Sequence, residues 1–320
     1  MTKVAMIPPI VEILHPFAAE KIKKACAPQT QFAYYTTADV AMSVLKYKSV
    51  WMRNAAAMND YREIEYGLER LDRVREGPLW SRLANALNNV HSGLFEAAVE
   101  QFERFRPKLL SDTYITCVSL HDAEERDYGR LSMWRAYGGR NGVALIISGA
   151  AILESQGSLA AYTSPVEYFD EQMYERAFER VVTNIEREIK FLSTLPRLDL
   201  QNRLFEVLLF AALCVKHPGF KEEQEWRIFS ITGSLKGRPL QSDVEVVRGT
   251  PQHVTKIPLG RSPNNPLAKR PLGEIVQQVL IGPSDFPDMS KRAFAALLGS
   301  AGVPNADSRV HVSGIPLRHF

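Results

Sequence analysis

Residues 142–148, Gly-Val-Ala-Leu-Ile-Ile-Ser, form an unbroken apolar run of strand length. A run of this kind, rich in branched side chains and closed by small residues, fits a strand covered on both faces, at the centre of a sheet. Other runs repeat the signal. TYITCVSL (113–120) is rich in β-branched and aromatic residues, and EEQEWRIFSIT, IVQQVLIG and TQFAYYTT read as further strands. SVLKYKSV (43–50) alternates apolar and polar positions and reads as a strand or strand entry. Helical blocks separate these strands. Ile64, Leu68 and Leu71 recur at helical spacing after Tyr61. Leu83, Leu87, Val90, Leu94 and Ala98 mark a helix over 81–105 that stops at Pro107. Residues 166–194 carry a long amphipathic stripe, and 201–216 a further helix. GRLSMWRAYG reads as a short helix closed by Gly138 and Gly139, and HVSGIPLR as a last strand. Strands and helices do not alternate one for one. The pattern predicts an α+β fold with a mixed or antiparallel central sheet and helical insertions, in one compact domain over 1–320. Pro and Gly concentrate at 233–273, the place for a long loop or hairpin.

Composition narrows the class. Lys and Arg number 39 and Asp and Glu 36 in 320 residues, so the net charge is only +3. That permits a local anion-binding patch without demanding one. The three cysteines, Cys26, Cys117 and Cys214, are widely spaced without a CxxC, which suits a reducing compartment. The longest apolar run, VLLFAALCV, is half the length of a membrane span, and the N-terminus lacks a signal-peptide cleavage site. The expected location is the cytoplasm, without membrane attachment. No GxGxxG follows a strand, and GxxxxGK[ST], HExxH and GxSxG are missing. No His pair stands at metal-ligand spacing, and no metal site is expected.

Three clusters can carry chemistry. The first is Glu223, Glu225 and Arg227, flanking Gln224 and Trp226. On a strand the odd positions share a face, with the two carboxylates about 7 Å apart beside a guanidinium. Such a pair suits acid–base work or stabilisation of an oxocarbenium-like transition state, and it also suits a solvated edge strand. The second is Lys46-Tyr47-Lys48, followed by Trp51, Arg53, Asn59, Asp60 and Glu63. Two lysines at i and i+2 of a strand can hold a diphosphate while Tyr47 turns toward the core. Asn59 and Asp60 can equally be a helix N-cap, with Glu63 completing a capping box. The third is Ser119, at a strand end, with Met133, Trp134, Tyr137 and Gly142. Trp134 and Tyr137 lie three apart on a helix and can stack on a flat ring or fill the core. His121 beside them reads as a structural histidine.

The order YKS…MND…Glu, YITCVSL, LSMWRAYG…GVAL, a helical block, Lys216…EQEWRI, VLIGP and VSGIPLR resembles the bacterial family called domain of unknown function 2971 over about residues 43–318, with a helical insertion at about 166–216. Lys48 stands where that family usually has arginine, Tyr61-Arg62 replaces its Pro-Phe, and Val118 replaces its Phe. The layout of a basic first strand, a Ser-ending strand, an aromatic and a Glu-x-Glu strand is similar to that of ADP-ribosyltransferases. The resemblance implies that NAD is a consumed substrate, that Glu225 steadies the transition state and that Glu223 is the general base. It places Ser119 as an ordering residue, with Lys46, Lys48 or Arg53 on the diphosphate, Trp134 or Tyr137 on nicotinamide, and Tyr47 and Arg227 beside them. A bacterial toxin or phage-defence role follows, with a protein or nucleic-acid acceptor. Two other readings stand beside it. One is a non-catalytic module binding nucleic acid or a partner through Trp134, Arg135, Tyr137 and Arg140. The other is a magnesium-dependent nuclease using Asp60, Glu63, Glu223 and Glu225.

Overall fold

The computed structural model describes residues 7–58, 62–154, 159–232, 240–247, 249–260 and 270–316, with the side chains of Glu63 and Glu154 excepted. Asn59, Asp60, Tyr61 and much of the Pro- and Gly-rich 233–273 region lie outside the described residues, as does the side chain of Glu63. In chain order the strands are β1 (Gln31–Thr37), β2 (Ser49–Asn54), β3 (Thr113–His121), β4 (Gly142–Ser148), β5 (Tyr162–Pro165), β6 (Glu167–Tyr168), β7 (Val215–Lys216), β8 (Glu225–Ile231), β9 (Gln241–Val247), β10 (Thr250–Pro258), β11 (Val276–Ile281) and β12 (Val310–Val312). The chain divides into two compact units, each gathered from three segments. One is Met1–Lys24, Asn54–Thr113 and Ser164–Lys221; the other is Ala25–Arg53, Tyr114–Thr163 and Glu222–Phe320.

The second unit is built on the sheet. Its strands run in the order β12-β11-β4-β1-β3-β2-β10-β9, with β8 beside β3 and β5. β1–β3, β1–β4, β2–β10, β9–β10 and β4–β11 pair antiparallel and β11–β12 pairs parallel, so the sheet is mixed and the fold is α+β. All seven residues of β4 are buried, and β1 and β11 flank it, as its continuous apolar run predicts. The helices Ala38–Tyr47 and Pro287–Ser300 pack on each other and on this part of the sheet. The first corrects the strand reading of 43–50. Ala41, Val44 and Leu45 are buried at helical spacing, and the helix ends in a left-handed cap at Lys48 before β2 begins.

The first unit is helical. Its longer helices are Arg62–Arg75, Pro78–Val90, Leu94–Phe105, Glu171–Arg187 and Arg197–Leu213. The segment expected as one helix over 81–105 is two, because Gly93 takes φ +70° between them. The 166–194 segment opens with β6, which pairs parallel to β7, and its helix starts only after Asp170, whose carboxylate accepts the Met173 N–H at 2.8 Å. Arg197–Leu213 packs against Arg62–Arg75 and Leu94–Phe105, burying Leu200, Leu204, Leu208 and Leu209. No helix among the described residues is long and apolar enough to cross a membrane.

Candidate functional site

The expected Glu-x-Glu strand does not exist as one face. Strand β8 starts at Glu225, and Gln224 before it has φ +44°, a left-handed conformation that breaks the two-residue alternation. Glu223 closes a 3₁₀ turn instead and is half-buried. Its carboxylate accepts the Tyr137 hydroxyl at 3.1 Å, and its backbone carbonyl accepts the Ser119 hydroxyl. Gln224 is tied on both sides: its carbonyl accepts the Leu120 N–H at 2.9 Å, and its side-chain amide donates to Asp122 at 3.1 Å. The bend is therefore locked to the end of β3.

Glu225 and Arg227 lie two apart on β8 and are both buried, with Arg227 Nε donating to Glu225 Oε1 at 2.9 Å. Trp226 between them rests edge-on against Phe32, ring centroids 5.1 Å apart. By strand alternation the ion pair projects to the other face of the sheet. That face also holds Ala33 and Ser119, which are register partners of β1 and β3. Ser119, Glu225 and Arg227 thus share a face, but Glu225 is closed against its own arginine and not presented to solvent.

The centre of the cluster is a residue that the sequence did not single out. Arg130 donates to the Ser119 hydroxyl at 2.8 Å and to the carbonyls of Glu222 and Leu120, at 2.5 and 3.1 Å. Its guanidinium also grips both carboxylate oxygens of Glu125, at 2.6 and 2.8 Å. Such a two-pronged pair holds its plane as well as its position. The Arg130 backbone N–H donates to the Tyr35 hydroxyl at 2.8 Å, and burial pushes Tyr35 up to about 12. Glu125 and Arg130 carry no periodic signal in the sequence, and the strand reading of TQFAYYTT says nothing of what Tyr35 meets. The only hint is two opposite charges straddling the turn residues Asp127 to Gly129. His121, read as a satisfied structural residue, is buried with both ring nitrogens lacking a hydrogen-bond partner among the described residues. Burial lowers its pKa.

Trp134 is a core residue and not a stacking platform. It is 1% exposed, T-shaped against Tyr35 at 4.8 Å, and its Nε1 donates to the Tyr128 carbonyl at 2.8 Å. Three glycines admit the ring, and a Cβ on Gly129 would lie 2.9 Å from its Cζ2. A Cβ on Gly282 would lie 2.6 Å from its Cε3, and one on Gly142 3.0 Å from the same atom. Tyr137, in the π-helical turn Trp134–Gly138, is half-buried and reaches Glu223.

The basic cluster is dispersed. Lys46 and Tyr47 are exposed at the end of a helix, with the ammonium 5.5 Å from the Tyr47 ring centroid, so Tyr47 does not enter the core. Lys48 caps that helix, and the i, i+2 strand geometry expected for the two lysines is lost. Arg53 lies on β2, where its Nε reaches Gln252 at 3.5 Å. Among the described residues no three His, Cys, Asp or Glu side chains gather as a metal-ligand set.

A family model described as protein of unknown function (DUF2971) matches residues 133–228. Over that stretch the chain resembles this family. The match takes in Trp134, Tyr137, Glu223, Glu225 and Arg227 and leaves out Lys46, Arg53, Ser119 and Arg130. Comparison with curated proteins and with solved structures gives no match.

Proposed function

We propose that the sheet unit carries an NAD-consuming activity of the ADP-ribosyltransferase type, with Glu223 as its working carboxylate. The observation that supports this reading is the convergence of Ser119, Tyr137, Arg130 and Glu223 through direct hydrogen bonds at the junction of β3 and β8. In this proposal Glu223, half-buried and steered by Tyr137, stabilises the oxocarbenium-like ribose as nicotinamide leaves. Ser119 and Arg130 fix the backbone that aims it. Glu225, closed against Arg227, takes a supporting role in place of transition-state contact. A protein or nucleic acid is the acceptor, and consumption of NAD suits a toxin or phage-defence role. The test is nicotinamide release from labelled NAD in the presence of cell lysate. Glu223→Gln should lower it about 100-fold or more, as expected for loss of charge stabilisation, and Tyr137→Phe by about tenfold. Absence of release by the unaltered chain, or full activity in Glu223→Gln, would refute the proposal.

A second reading has its own support. Arg135, Arg140 and Lys46 are exposed in the same unit, and Tyr47 is 65% exposed beside Lys46. Cations next to an exposed ring suit nucleic-acid binding without turnover. That reading predicts retention on single-stranded nucleic acid that falls steeply as salt is raised.

A further inference from the structure

The helical unit contains a pocket of about 110 Å³ between its N-terminal segment, the helix Glu171–Arg187 and the helix Arg197–Leu213. Its walls are largely apolar, with five aromatic rings among them: Phe17, Phe169, Tyr174, Phe178 and Phe210. The Tyr174 hydroxyl is committed to the Ala211 carbonyl at 3.2 Å. One polar wall group is different. Glu167, on β6, lines the pocket, and its Oε2 is paired with Lys21 Nζ at 2.8 Å. Its other oxygen, Oε1, is buried and has no hydrogen-bond partner among the described residues. A buried acceptor left unmatched in an apolar pocket costs free energy that a donor from a ligand would recover.

We infer that this pocket is a binding site for a single aromatic ring carrying one hydrogen-bond donor, seated among the phenylalanines with its N–H or O–H on Glu167 Oε1. The size suits a single ring, since the pocket's volume of about 110 Å³ is of the same order as the roughly 150 Å³ cavity that holds benzene. The rings supply edge and face contacts to a flat guest. Lys21 holds one carboxylate oxygen and orients the group, which leaves Oε1 for the guest.

Phenol and toluene make the test, because they share a shape and differ in the donor. In a purely apolar cavity toluene binds more tightly, since the phenol hydroxyl is stripped of water without replacement. Isothermal titration of the full chain at pH 7 should instead show phenol binding at least as tightly as toluene. Ala177→Phe, which fills the pocket from the helix Glu171–Arg187, should weaken both by about tenfold or more. Glu167→Met should weaken phenol by about tenfold and leave toluene within about twofold, the size expected for one hydrogen bond to a charged group. Toluene binding more tightly than phenol to the unaltered chain would overturn the assignment, as would saturation by neither compound or an equal response of both to Glu167→Met.

Discussion

Substituting Gly282→Ala tests the packing around Trp134 directly. The new methyl would lie 2.6 Å from Trp134 Cε3 and 2.7 Å from Cζ3, about 1 Å inside an ordinary carbon–carbon contact. The ring cannot retreat easily, because it is 1% exposed, meets Tyr35 edge-on and is tethered through Nε1 to Tyr128. Overpacking of this kind costs about 1–3 kcal/mol. Trp134→Leu removes the offending atoms and should itself cost about 2–4 kcal/mol through the cavity it leaves. The two changes should compensate. In the Trp134→Leu background Gly282→Ala should cost less than about 0.5 kcal/mol, which gives a coupling of at least about 0.5 kcal/mol. Urea unfolding followed by circular dichroism, compared at a common slope, measures all four forms. Equal cost of Gly282→Ala in both backgrounds would refute the claim that this glycine exists to admit the indole.

Two further outcomes follow from buried polar groups. Arg227→Met removes the guanidinium that donates to the buried Glu225 carboxylate and should destabilise the chain by about 3–5 kcal/mol. Glu225→Met combined with Arg227→Met should recover most of that loss, as read by thermal unfolding. His15, in the helical unit, is lowered to about 4 by burial and by Arg203. The unfolded chain takes up that proton near pH 6.5 and the folded chain only near 4, so stability should fall as pH drops between those values, by about 3 kcal/mol in all. Urea titrations from pH 7 to 4 should show a flatter profile for His15→Phe, and identical profiles would contradict the assignment.

Much of the sheet was legible because its strands are locally consistent. GVALIIS is buried at every position, and the β-branched run at 113–120 became β3. The helix Ala38–Tyr47 was missed because its buried positions begin at Ala41, ahead of the alternating stretch that suggested a strand. Trp134 and Tyr137 were seen as a pair, but whether a tryptophan is core or platform depends on glycines at 142 and 282 that meet it only in the folded chain. Arg130 was invisible for the same reason. Its partners Ser119, Leu120 and Glu222 come together only through tertiary pairing, which leaves no periodic trace.

The left-handed residue between Glu223 and Glu225 separates two acids that are neighbours in spelling. One sits at the boundary with water in the company of a phenol, and the other sits in the interior opposite a guanidinium. A glycine at 224 would relax the backbone and at the same time release the amide that anchors Asp122. Spacing alone therefore says little about shared duty, since one turned backbone unit sends two acids of the same motif into different surroundings.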